Sequence, residues 1–123
     1  MLPNDTREAV SRIVKERQKI LETKYGNFDE NLRIVGKAID SIMACFELNH
    51  GTVDEIAFPL INMYQAIRKE DHNILDSNIQ VLRNESNKLP QHIRLSVDAQ
   101  IELLNAYCKN IINYRLDLYG SKK

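Results

Sequence analysis

The sequence predicts an all-α antiparallel bundle of four to five helices forming a single domain over residues 1–123. Three observations predict it. The chain has only four glycines and three prolines, and most of them fall where helices would end. Two segments carry apolar residues at alternating spacings of four and three, the signature of a helix–helix seam. No segment alternates apolar and polar residues over five positions between turn signals, so no strand is expected.

The first helix is expected over about Thr6–Tyr25. Asp5 and Glu8 have capping-box spacing, which would satisfy orphan N–H groups at the helix start. Val10, Ile13, Val14 and Leu21 share one face, interrupted by Arg17, and Gly26 suits the C-terminal stop. Asn27 and Glu30 repeat the capping spacing and open a second helix that runs to about Leu48. Its seam is Phe28, Leu32, Val35, Ile39, Ile42 and Phe46, widened by Ile34, Ala38, Cys45 and Leu48, so it should be the most buried helix. Asn49-His50-Gly51 ends it, and Thr52 with Glu55 repeats the capping spacing once more.

Val53, Ile56, Leu60, Tyr64 and Ile67 continue the helical period through Pro59, which either kinks the helix or marks its start. From Leu60 to Leu89 there is neither Gly nor Pro. Asp71-His72-Asn73 is the one weak break, because Asp and Asn compete with the backbone, and one long helix and two helices both remain open. Leu75, Ile79 and Leu82 supply the later apolar face. Leu89-Pro90 is a boundary. The last helix starts at about Gln91 or Ser96 and runs to Tyr119, with the seam Val97, Ile101, Leu104, Cys108, Ile111 and Leu118. Gly120, Lys122 and Lys123 suit its C-terminal end.

Seventeen basic and 17 acidic side chains give a formal net charge of zero, but unevenly placed. Residues 1–37 carry a net +2, residues 38–78 a net −5 and residues 79–123 a net +3. A nucleic-acid binder needs a marked positive excess, so that function is disfavoured. No stretch approaches the roughly 20 apolar residues of a membrane helix. Met1-Leu2-Pro3-Asn4-Asp5 has no basic n-region and no apolar h-region, so a cytoplasmic protein is expected. There Cys45 and Cys108 are read as reduced and buried, with a disulfide as the alternative.

Chemistry finds little support. His50, His72 and His92 sit near helix ends as capping or surface residues, against a zinc reading that lacks nearby thiolates. Glu47-x-x-His50 matches half of a di-iron bundle motif and has no second copy. Asp5/Glu8 is the only acidic i, i+3 pair and Asp98/Glu102 the only i, i+4 pair. Glycine-rich phosphate loops, nucleophile elbows and Cys-x-x-Cys spacings are absent. No catalytic residue, metal ligand or cofactor is therefore assigned, and an enzyme is the minority reading.

Interaction surfaces fit better. Arg7, Arg12, Lys15, Arg17, Lys19 and Lys24 form either a solvated face relieved by Glu8, Glu16 and Glu22 or a dock for an acidic partner. The last helix carries apolar and aromatic residues on more than one stripe, so it is either central or also used in an interface. Tyr107, Tyr114, Arg115, Leu118 and Tyr119 are the candidate interaction residues. The leading expectation is a non-catalytic protein-interaction module, a small accessory, inhibitor or immunity-type protein that binds another protein and forms a homo-oligomer. The alternative is a nucleotide-binding protein with a polar pocket at a bundle end, drawing on Asp71, His72, Asp76 or His50.

Two segments add to that alternative: Arg17 with Tyr25-Gly26-Asn27-Phe28-Asp29-Glu30-Asn31, and Thr52-Val53-Asp54-Glu55-Ile56-Ala57 followed by Ile67-Arg68 and Asp76-Ser77. They resemble a family of small phage-associated helical proteins related to MazG-type nucleotide pyrophosphohydrolases, within about half of the chain. The resemblance implies a degenerate relative, because the Glu-x-x-Glu and Glu-x-x-Asp pairs that hold Mg²⁺ in that family do not occur here.

Overall fold

The computed structural model describes residues 4–119, and they form five α-helices with no strand among them. These are α1 (Asn4–Tyr25), α2 (Phe28–His50), α3 (Asp54–Lys69), α4 (His72–Ser86) and α5 (Gln91–Tyr119). The helix ends agree with the punctuation of the sequence in most places. Asn27 caps α2, its side chain accepting from the Glu30 amide at 2.9 Å. Gly26 and Gly51 have φ of 89° and 85°, the left-handed conformation that ends α1 and α2.

Two caps differ from expectation. Asp5 lies inside α1, which already begins at Asn4, so Asp5 is a first-turn acid rather than the cap. Thr52 accepts from the Asp54 amide at 3.1 Å, a local turn one residue short of the capping-box bond. The segment 60–89 is two helices. Glu70 adopts φ 54° and, with Asp71, returns amides to Ile67 and Ala66 in a Schellman stop. The Asp71 carboxylate then caps α4, accepting from Asn73 and Ile74. Pro59 sits within α3 without ending it. Gly120, Lys122 and Lys123 lie outside the described residues.

Cross-helix bonds set the directions. His72–Asn113, Arg83–Glu102 and Ser86–Asp98 lie along α4 and α5 in opposite order, so that pair is antiparallel. The two-residue link of Glu70 and Asp71 folds α4 back along α3, and Asn62–Asn78 bridges the pair. The Phe28 and Tyr114 rings, 5.3 Å apart, set the start of α2 against the end of α5.

The core combines the two expected seams. Val35, Ile39, Ile42 and Phe46 of α2 meet Val97, Ile101, Leu104, Cys108 and Ile111 of α5, with Leu75, Ile79 and Leu82 of α4. Here α5, not α2, is the centre: it packs against all four other helices. That accounts for its apolar residues on several faces. On α3 the buried face is Ile56, Leu60, Met63 and Ile67, and Tyr64 turns outward. The contact between α2 and α3 is slight, and a groove opens between them. No helix among the described residues is long and apolar enough to cross a membrane.

Candidate interaction surface

Among the described residues, the apolar face of helix α1 is left open before Leu21. Of the four residues that share it, only Leu21 is buried; Val10, Ile13 and Val14 are 48%, 62% and 44% exposed. The reason lies in how α1 is attached. Its C-terminal part is held to the end of α5 around Asp117. Tyr25 donates its hydroxyl to Asp117 Oδ2 at 2.6 Å, Lys24 Nζ lies 3.7 Å from the same oxygen, and Arg17 donates to the Asp117 carbonyl. The Tyr25 hydroxyl is held protonated above its ordinary range, first by that bond to Asp117 and then by burial. Buried Asn31 donates to the Tyr25 carbonyl at 2.9 Å and locks the corner between α1 and α2. The turns before Arg17 contribute no buried side chain.

A second apolar surface lies between α2 and α3. A groove of about 150 Å³ is lined only by Ile39 and Met43 of α2 and by Ala57, Leu60, Ile61 and Tyr64 of α3. Its apolar lining continues onto the surface through Ile61, 57% exposed, and Phe58, 73% exposed. Exposed carboxylates border it: Asp40 and Glu47 flank Met43 along α2, and Asp54 precedes Ala57 on α3. Arg68 stands one turn beyond Tyr64. The Tyr64 phenol is pushed above its ordinary range by burial and by the Asp40 charge beside it.

The five candidate residues on α5 are spread between core and surface. Tyr114 is buried against Phe28, and burial raises its phenol. Tyr107 packs half-buried against the core. Arg115 donates to Glu70 Oε2 at 3.1 Å and lies 5.8 Å from the Tyr119 ring centroid. Leu118 is half-buried and Tyr119 exposed.

The groups considered for chemistry lie apart. His50 stands 3.9 Å from Glu55 at one end of α3. Asp71 and His72 lie at the other end, with His72 Nε2 2.9 Å from Asn113 Oδ1. Among the described residues no three His, Cys, Asp or Glu side chains converge as a metal site would require. Both cysteines are free, and burial pushes the Cys108 thiol up to about 12. A polar cleft between α3 and α4 is lined by Asn62, Gln65, Lys69, Asn73 and Asn78, and the Asn62–Asn78 bond of 3.1 Å crosses it.

No family profile, curated protein or solved structure matches the chain. The segment Tyr25–Asn31, from which a resemblance to MazG-type proteins was expected, forms the α1–α2 corner: a positive-φ glycine, a cap and a buried amide.

The groove and the open α1 face were not legible as sites. Each apolar residue involved has helical spacing, and spacing reports a face without reporting whether another element covers it. The concentration of acids over residues 38–78 was the one available signal for the groove.

Proposed function

We propose that the protein is a non-catalytic interaction module that binds other protein chains through helix faces, as a small accessory, inhibitor or immunity-type protein of the cytoplasm. The observation that carries this reading is the open stripe of Val10, Ile13 and Val14 on a helix that the described residues anchor from Arg17 onward. An amphipathic helix that leaves its apolar face in water gains by laying it into a groove. Two free cysteines suit a reducing compartment. The test is affinity capture from the native host with the wild-type chain and with Ile13→Glu. Wild type should retain a defined set of chains, and the variant should lose them at unchanged helicity. Equal recovery with both forms would refute the reading.

A second reading rests on the amide-lined cleft between α3 and α4, which could take a small polar ligand such as a nucleotide. A ligand that binds only the native state raises the melting temperature. Nucleotide and Mg²⁺ titrations that leave the melting temperature unmoved would remove this alternative.

A further inference from the structure

We infer that the open turns of α1 from one copy of this chain lie in the α2/α3 groove of a second copy, and that the exchange is reciprocal. The inference rests on the interaction-module reading and names its partner as the protein itself.

Three matches support it. The first is in surface type. A stripe of β-branched residues, Val10, Ile13 and Val14, meets a groove whose lining is entirely apolar. The second is in length. The stripe from Val10 to Val14 rises about 6 Å and the α3 wall that lines the groove, Ala57 to Tyr64, about 10 Å, so the stripe fits within it.

The third is in charge, and it discriminates between occupants. At 3.6 residues per turn, Arg7 and Arg17 fall on the stripe's own face, Arg7 exposed and Arg17 turned to the Asp117 carbonyl of its own chain. Asp5, Glu8, Glu16 and Glu22 all fall more than a quarter turn from the stripe's centre. The stripe is therefore edged by cations. Pairing two α1 stripes face to face would set those arginines against one another. The groove is instead bordered by Asp40, Glu47, Asp54 and Arg68, three acids to one base, so it offers the opposite sign. Reciprocal docking uses each surface once per chain and closes as a two-fold pair.

The experiment is light scattering coupled to size exclusion on the full chain over a range of concentrations and salt. Wild type, Ile13→Glu, Ile61→Glu and their equimolar mixture are compared, with helicity checked by circular dichroism. Both substituted side chains are exposed, so each variant should fold. Wild type should form a dimer that weakens as salt rises. Each variant should raise the dissociation constant by about tenfold or more. The mixture should regain part of the association, because it restores one intact stripe facing one intact groove.

A wild-type monomer at every concentration overturns the inference and leaves the interaction reading to its capture experiment. A dimer that survives both changes overturns it too, as assembly would then use another face. Loss with Ile13→Glu but not with Ile61→Glu would mean stripe-to-stripe pairing, and would also overturn it.

Discussion

Gly36 and Gly51 are both open positions: a Cβ built on either meets nothing within 4 Å. They differ in backbone. Gly36 lies inside α2, where alanine is the better helix former, whereas Gly51 holds φ 85°. Gly36→Ala should therefore stabilise by about 0.5–1 kcal/mol, and Gly51→Ala should destabilise by about 1–2 kcal/mol. Urea unfolding of the two variants reads both signs from one chemical change. Cys108 gives a pH prediction. Its thiol is held neutral up to about 12 by burial, while the unfolded thiol ionises near the ordinary 9.0. The unfolded state thus releases a proton that the native state keeps, so this contribution is complete below pH 9 and declines from there toward pH 12. Melting temperatures across that range should fall more steeply in wild type than in Cys108→Ala. The Asn27 cap was legible from its neighbours in sequence, whereas the Cys108 shift was not, since it depends on packing among remote residues.

At the scale of helices, the seams of α2, α4 and α5 were legible because their apolar residues repeat with the helical period, although Leu48, expected to widen the α2 face, is 84% exposed. The same period gave α1 an apolar face of Val10, Ile13, Val14 and Leu21, and of these only Leu21 is buried. Periodicity describes a helix, but burial needs a partner, and among the described residues α1 buries no side chain before Leu21. The stop between α3 and α4 was undecidable in sequence, because it is made by a glutamate at φ 54° rather than by glycine. Two expected outcomes follow. Ile101→Ala, in the fully buried centre of α5, should cost about 2–5 kcal/mol. Ile13→Ala should change stability by no more than about 0.5 kcal/mol, as an exposed position does. In hydrogen exchange, amides of residues 8–14 should exchange far faster than those of residues 101–112.

For the whole molecule, the bundle of α2 to α5 holds the shared core, and α1 adds Leu21 and the Asp117 cluster. A chain lacking residues 1–14 should therefore unfold cooperatively at nearly the wild-type denaturant midpoint, yet fail to associate. Coincident loss of the fold would contradict this division. The antiparallel arrangement was legible from short connections. The gap between α2 and α3 was not, because it reflects which helices the central α5 draws in most closely. The anchoring at Asp117 has one more consequence. A rigid rod clamped near one end converts a slight rotation at the clamp into a wide sweep of its tip. Searching a large volume for a landing place then costs little deformation elsewhere, and capture of the tip would quench that sweep throughout the rod.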